Sequence, residues 1–488
     1  MLPRFDRLEH VHIVGVCGTL MGAFAAFLRR RGIKVTGSDQ NVYPPMSDVL
    51  ASAGVVLYSG YRAENLMASG SKPDLVVIGN VVRSDNPEAV AAMNGGYAYT
   101  SLPEAMEKLL LVNTRNIVVA GTHGKTTTSS LMAFVLHRLG KKGNFFIGGV
   151  PQDLPFSFHV ESLEAGTPFV LEGDEYDTAF WDKVPKFNHY LPDDVIFTSM
   201  EYDHADIYPD FAAVQRAFTG LLGRIRAKGR LILCVDDPQV AKMAIHAQVP
   251  VITYASGTTP GGTEADFRLG SIRGLPDGMM EFDVLTKESS AVIETLRLRI
   301  PGKHNALNAL AVWIESRELG LDLAQVREAL AQFKGVKRRQ EERGEVQGVL
   351  VLDDFAHHPT AVRETLQALR LKYPKRRIVA VFEPRSATSR RKVFQKDYGL
   401  AFRQADATFI AQPYDTSRIP AADQFSSEQL VNDLTAVGHP AQLMPSVEEG
   451  VAQVTRFARP GDLVAVLSNG GFGGFIPRLL EGLRGTSG

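Results

Sequence analysis

Cysteine is scarce in this sequence: two in 488 residues, Cys17 and Cys234, far apart and without metal-ligand spacing. That argues against a disulfide framework or a zinc knuckle and fits a reducing compartment. An excess of one charge is lacking too, since 53 Lys and Arg face 54 Asp and Glu. The basic runs, Arg29-Arg30-Arg31, Arg338-Arg339 and Arg390-Arg391-Lys392, are short, so no nucleic-acid partner is expected. No stretch reaches the ~20 uninterrupted apolar residues of a membrane span. The N-terminal MLPRFDRLEHVHIVGV has no signal-type apolar run before a cleavage site. A cytoplasmic protein without membrane insertion is the expectation. There is no repeat of solenoid period and no low-complexity tract.

What remains is the composition of an ordinary globular protein, 44% apolar and 22% charged. At one domain per ~150 residues the length predicts about three domains. Short β-branched runs alternate with helical patterns almost throughout. Buried strands are predicted at 11–16, 75–80, 116–121, 169–174, 195–200, 349–354, 377–384 and 462–470, most followed by helix-compatible segments. That is the signature of βαβ units on parallel sheets, hence an α/β fold. Residues 266–300 alternate apolar and polar residues around turn signals and predict a small antiparallel meander. Three segments emerge: 1–113, 114–335 and 336–488.

The sharpest chemical signal is the run Gly121-Thr122-His123-Gly124-Lys125-Thr126-Thr127 between a predicted strand and a predicted helix. Glycines there let backbone N–H groups turn onto phosphate oxygens, and the helix N-terminus adds a favourable dipole. Lys125 is placed to reach the β- and γ-phosphates of ATP, and the Thr126 hydroxyl to ligate Mg²⁺. The loop is shorter than the common phosphate-loop form, with Gly121 three residues before Gly124.

Two further strand ends carry acids: Glu172, Asp174, Glu175 and Asp177, then Glu201, Asp203, His204 and Asp206. On a parallel sheet both sets open at the C-terminal edge, where the phosphate loop also opens. One or two carboxylates with an imidazole suffice for magnesium, which keeps several waters. At the N-terminus the glycines run Gly15, Gly18, Gly22, not in the dinucleotide-binding spacing, and Ser38-Asp39 end the second strand. The turn suits a ribose or base contact by Asp39; a purely structural βα turn, its glycines serving close packing, fits as well.

Taken in order, GTHGKTTT (121–128), GDEYD (173–177), EYDHAD (201–206), GKHNALNAL (302–310), GVKRRQ (335–340) and LDDFAHHPTA (352–361) resemble the Mur ligases, the amide ligases of peptidoglycan precursors. The resemblance implies three domains: a Rossmann-like N-terminal domain holding a UDP-sugar, a central P-loop domain holding ATP, and a Rossmann-like C-terminal domain holding the amine or peptide substrate. It implies that Lys125 and Thr126 hold ATP phosphates and magnesium and that Glu175 and His204 are metal ligands. Lys125, Glu175 and His204 are thus the expected catalytic set. His304, Asn305 and Asn308 match the adenine-contacting motif; Arg339 and Asp354 match residues reaching the ATP ribose and phosphates. Gly15, Gly18, Ser38 and Asp39 fall where UDP is bound. Arg385, Ser468 and Asn469 lie in loops corresponding to those facing the amine substrate. His357 and His358 sit near the same place, with a structural role equally compatible.

The GVCGT…GSD pattern is similar to the branch that takes UDP-N-acetylmuramate. Within it, the stretches at 37–47, 382–388 and 468–474 resemble ligases that add the murein tripeptide L-alanyl-γ-D-glutamyl-meso-diaminopimelate in recycling; addition of L-alanine is the alternative. Several family members carry a carbamoylated lysine downstream of the motif histidine; residues 207–226 here contain no lysine, so no such modification is expected. Two readings from other classes stand beside this one. A nicotinamide oxidoreductase would leave the phosphate loop unexplained, and a regulatory nucleotide switch would leave the acid clusters unexplained. The sequence is silent on oligomeric state.

Overall fold

The computed structural model describes residues 2–42, 46–258 and 264–485. The chain forms two compact units: Met1–Met200 with Ala212–Arg268 and Ala309–Ala329, and Glu201–Phe211 with Leu269–Asn308 and Leu330–Gly488.

The first unit begins with a five-stranded sheet. Its strands are β1 (His10–Val14), β2 (Lys34–Asp39), β3 (Val56–Ser59), β4 (Leu75–Ile78) and β5 (Tyr99–Ser101). Their order is β3-β2-β1-β4-β5 and every pairing is parallel. All five residues of β1 are buried, as befits a central strand covered on both faces. The helix Thr19–Arg30 buries Phe24, Phe27 and Leu28. Phe27 meets Phe158 edge-on at 4.7 Å, and Arg30 donates to the Phe158 carbonyl, so this sheet is tied to the next segment of its own unit.

A second sheet of the unit contains β6 (Arg115–Ala120), β7 (Asn144–Phe146), β8 (Phe158–His159), β9 (Pro168–Glu172), β12 (Asp194–Phe197), β13 (Arg230–Cys234) and β14 (Val251–Ala255). The hairpin of β10 (Asp177–Ala179) and β11 (Asp182–Pro185) stands apart from it. The order β14-β13-β12-β6-β9-β7-β8 puts β6 between β9 and β12, both parallel to it. Chain segments leaving β9 and β12 therefore emerge beside the turn that leaves β6. The next strand, β15 (Phe267–Gly274), pairs in parallel with β14.

In the second unit β16 (Met280–Thr286) and β17 (Ser289–Leu298) form an antiparallel hairpin. Of the meander expected over 266–300, β16 and β17 are antiparallel; β15 lies between β16 and β14 and is parallel to β14. Alternation marks a half-buried strand but carries no information on its partner's direction. A six-stranded sheet follows: β18 (Glu341–Val346), β19 (Val349–Asp354), β20 (Arg377–Phe382), β21 (Ala407–Ala411), β22 (Ala441–Met444) and β23 (Asp462–Leu467), in the order β18-β19-β23-β20-β21-β22. β18 is antiparallel to β19; the remaining pairings are parallel. Alternate residues of β20 feed two cores: Ile378, Ala380 and Phe382 one, Val379 and Val381 the other.

Candidate active site

In the first unit, β6 runs into the phosphate loop and the helix Lys125–Arg138 starts at once. Gly121 adopts φ 133°, and a Cβ there would fall 2.4 Å from Thr198 Oγ1 and 2.8 Å from the Ser199 nitrogen. Glycine is therefore required on two counts, conformation and space. Gly124, at φ 83°, turns the chain into the helix. The loop is held by the residues after β12: Thr122 N donates to Ser199 O at 3.0 Å, His123 N to Ser199 Oγ at 2.8 Å, and Thr198 Oγ1 to His123 O. Thr198 and Ser199 hold the loop and were missed by sequence reasoning; small hydroxyl residues just past a strand end are the signal.

Lys125 Nζ donates to Gly121 O at 2.6 Å and Thr122 O at 3.2 Å and meets Glu175 Oε1 at 2.9 Å. Burial alone would depress the ammonium pKa. Glu175 in contact, with Glu172 and Asp174 nearby, outweighs it and holds the pKa above the ordinary lysine value. Thr126 Oγ1 donates to Glu172 Oε1 at 2.7 Å, while Gly148 N donates to Glu172 Oε2 at 2.7 Å. Thr127 is buried in the first helical turn. Asp174 is bound to Lys186 at 2.6 Å, and against the opposing effect of burial this contact keeps its carboxyl below the usual range. The structure thus brings Lys125, Thr126 and Glu175 together as expected and adds Glu172. Hydroxyl and carboxylate oxygens in one place are the hard donors that magnesium takes.

The N-terminal turn is built on the same plan. Gly15 adopts φ 83°, and Gly15 N and Val16 N both donate to Ser38 O, at 2.8 and 3.1 Å. Asp39 receives Cys17 N at 2.9 Å and Asn41 N at 3.1 Å, so its carboxylate fixes the loop. Ser38 is fully buried and its hydroxyl meets no partner among the described residues. Gly18 precedes the helix in ordinary extended geometry. Beyond Asp39, residues 43–45 of the 37–47 stretch lie outside the described residues.

The second unit holds the remaining expected residues. His204 adopts φ 54°, and its N–H donates to Asp203 Oδ1 at 2.7 Å. Asp203 is buried and accepts from Thr388 Oγ1 at 2.6 Å. Burial would raise its pKa, but the His357 ring, 3.8 Å away, and the charges of His204 and His358 outweigh that and hold it well below the ordinary value. His358 caps the helix Pro359–Lys372 by accepting from Thr360 N, with Nδ1 also 3.2 Å from Glu201 Oε2. His357 Nδ1 meets the Phe355 carbonyl at 2.9 Å. Both histidines thus stand against the acidic loop, His357 3.8 Å from Asp203 and His358 3.2 Å from Glu201.

Asn305 donates to Pro301 O at 2.7 Å and Asn308 to Asn305 Oδ1 at 3.4 Å; His304 lies 3.9 Å from Glu364. Asp354 receives Gln340 N at 2.8 Å and Ala356 N at 2.7 Å, and its carbonyl receives Ser468 N. Arg339 lies over the Phe355 ring, 4.9 Å from its centroid. Ser468 is buried, its hydroxyl bound to Glu383, and Arg338, read in the sequence only as part of a short basic run, donates to Ser468 O and Gly470 O at 2.6 and 2.7 Å. Arg385 pairs with Glu383 at 3.3 Å; Asn469 follows Ser468 in the same loop.

Three family profiles match in succession: the Mur ligase family catalytic domain over residues 10–113, the Mur ligase middle domain over 119–314, and the Mur ligase glutamate ligase domain over 338–470. The chain is 37% identical over 477 residues to the Escherichia coli UDP-N-acetylmuramate–L-alanyl-gamma-D-glutamyl-meso-2,6-diaminoheptandioate ligase, covering 97% of this chain and 98% of the relative. It is 34% identical over 471 residues to the Salinibacter ruber UDP-N-acetylmuramate–L-alanine ligase, covering 96% and 94%. Among solved structures, a murein peptide ligase from Psychrobacter arcticus superposes with TM-score 0.71 at 32% identity, covering 98% of this chain and all of that one. No helix among the described residues is long and apolar enough to cross a membrane.

Proposed function

From the premise that this chain belongs to the Mur ligase family, we infer that it joins UDP-N-acetylmuramate to the tripeptide L-alanyl-γ-D-glutamyl-meso-diaminopimelate, using ATP to activate the carboxylate, in peptidoglycan recycling. The observation that carries the chemistry is the set formed by Lys125, Thr126, Glu172 and Glu175, one ammonium and three hard oxygen donors at the mouth of a phosphate loop. The choice of amine is supported by full-length identity to a relative named for the tripeptide, above that to relatives named for L-alanine.

A free carboxylate is a poor electrophile. ATP transfers its γ-phosphoryl group to the lactyl carboxylate of the sugar, giving an acyl phosphate and ADP. The peptide's α-amine attacks that carbonyl, a tetrahedral intermediate forms, and phosphate leaves as the amide is made. The protein's part is positioning and charge stabilisation. The loop N–H groups and Lys125 face the phosphates; Thr126 and Glu175 would hold magnesium, which neutralises charge on the phosphoryl oxygens. His204 stays a candidate ligand on the resemblance alone. Residues 1–113 take the UDP-sugar through the Gly15–Asp39 crevice. Residues 114–335 take ATP, with His304, Asn305 and Asn308 on the adenine. Residues 336–488 supply Arg339 and Asp354 to the nucleotide and the Arg385 and 468–469 loops to the peptide.

The test is phosphate release with ATP, magnesium and UDP-N-acetylmuramate, offering tripeptide or L-alanine in parallel. Turnover with the tripeptide is expected; turnover with L-alanine alone would move the assignment to the other branch. No turnover without both the UDP-sugar and an amine separates a ligase from a nucleotide switch.

A further inference from the structure

The strands β23, β20 and β21 are parallel neighbours, so the loops after them open at one edge of the third sheet. Those loops carry Gly470, Arg385 and Tyr414. The Arg385 guanidinium carbon lies 3.7 Å from the centroid of the Tyr414 ring. Tyr414 is itself fixed: its N–H donates to Pro384 O at 2.9 Å, and its carbonyl and that of Asp415 accept from Arg390 Nη1. A Cβ on Gly470 would fall 2.0 Å from Arg385 Nε and 2.6 Å from Cζ, so the guanidinium rests against bare backbone that any side chain would displace. Nη1 meets Glu383 Oε1 at 3.3 Å, and Glu383 is buried beneath the Ser468 hydroxyl. Among the described residues no acceptor meets Nη2, yet the side chain is 28% exposed. The adjoining Asn469 Oδ1 is likewise buried without a hydrogen-bond partner.

A guanidinium on a long flexible stem ordinarily loses rotamer freedom when it binds. Here a ring under it, a bare backbone against it and one carboxylate at Nη1 set its plane in advance, leaving an N–H edge presented in one orientation. That edge is shaped for a carboxylate, and the ring adds cation–π stabilisation without taking up a donor.

We propose that Tyr414 is a positioning residue which, with Gly470, sets Arg385 to receive the C-terminal carboxylate of the incoming peptide. This platform then separates a peptide from free L-alanine. An amino acid carries its carboxylate beside the reacting amine, whereas a peptide places the two at separated points. The proposal rests on the reading of the chain as a peptide ligase and names which group of the peptide is read, and by what.

Steady-state turnover is measured with the tripeptide and with the same peptide amidated at its C-terminal residue. The wild type is expected to show a KM about tenfold higher for the amide, with kcat little changed. Tyr414→Leu raises the KM of the acid toward that of the amide and erases the preference, while kcat and the KM values for ATP and UDP-sugar stay put. Tyr414→Phe keeps the ring and the preference. Gly470→Ala acts in the same direction as Tyr414→Leu, and Tyr414→Leu adds nothing on an Arg385→Ala background. A wild type that uses both peptides equally, or a Tyr414→Leu variant that keeps the full preference, overturns the proposal and leaves the ligase reading intact. A wild type that turns over L-alanine and no peptide removes the ligase reading and the proposal together.

Discussion

The turn after β1 and the turn after β6 share a plan: a buried parallel strand, a glycine at positive φ (Gly15 at 83°, Gly121 at 133°), and a helix beginning four residues later. Their chemistry diverges in the first helical turn. The helix after β6 opens on Lys125 and Thr126, met by Glu175 and Glu172. The helix Thr19–Arg30 has no charged residue in its opening turn, and the Asp39 carboxylate is engaged by the backbone of Cys17 and Asn41. Beneath the first turn lies a buried polar network: His12 bonded to Thr36 and Glu88, Glu88 to Asn65, and His10 to Thr36. Burial, with the Lys34 and His12 charges, pushes His10 down to about 4. One scaffold thus serves two tasks. After β6 the turn carries a charged side chain balanced by acids; after β1 polarity is locked into the walls.

The comparison breaks first at Lys125. Lys125→Ala is expected to lower kcat by about 10²–10³-fold, the scale of losing one charge-stabilising group in a preorganised site. Ligation by the purified variant, with its thermal melt as a control for folding, measures this; near wild-type turnover would reduce the phosphate loop to a structural turn.

The first glycine of the phosphate loop and the last glycine of the N-terminal turn also differ in how tightly they are packed. Gly121→Ala puts a methyl group onto Thr198 and Ser199 at an unfavourable φ, and is expected to cost ~2–3 kcal/mol of stability. Gly18→Ala, with ordinary φ and its nearest neighbour at 3.7 Å, is expected to stay within about 0.5 kcal/mol. Paired denaturant titrations decide it, and equal costs would mean that the phosphate loop has no special need of glycine.

Much of this was legible beforehand, for a physical reason. Parallel strands buried on both faces read as continuous apolar runs, so β1, β4, β6, β9, β12, β19, β20 and β23 stand out in the sequence. Strands β7, β8 and β22 are short or half-exposed and lack that run. The phosphate loop was legible because its glycines, lysine and threonine are adjacent in sequence. Thr198 and Ser199 were not, since nothing local says that β12 lies next to β6. Glu172 and Asp203 stood out as acids, but their partners Thr126 and Thr388 depend on tertiary placement. Arg338 read as a solvated basic run, and its role emerges only when Ser468 and Gly470 arrive from 130 and 132 residues away.

The smallest expected effect concerns what fastens the two sheets of the first unit together. His189 follows the β10–β11 hairpin, downstream of Glu175; its Nδ1 lies 2.6 Å from Glu107 Oε2, on the helix Leu102–Leu109 behind the first sheet, and its Nε2 lies 2.8 Å from Asp182 Oδ2. An imidazole facing carboxylates at both nitrogens is best satisfied as the imidazolium, which donates twice. Burial lowers its pKa, but the hydrogen bonds to Glu107 and Asp182 outweigh burial and raise it above 6.5. A raised histidine pKa means that the charged clamp contributes fully below the unfolded value near 6.5 and is lost as pH climbs through the folded value. With both carboxylates partly exposed the contribution is discounted to ~0.5–1 kcal/mol. The melting temperature of the wild type should therefore exceed that of His189→Gln by about 1–3 °C near pH 6, and the gap should close as pH rises. Melts of the two proteins from pH 6 to 9 read it directly; a gap that does not change with pH would show that the clamp is held by packing and not by charge, as the contact of Phe27 with Phe158 is.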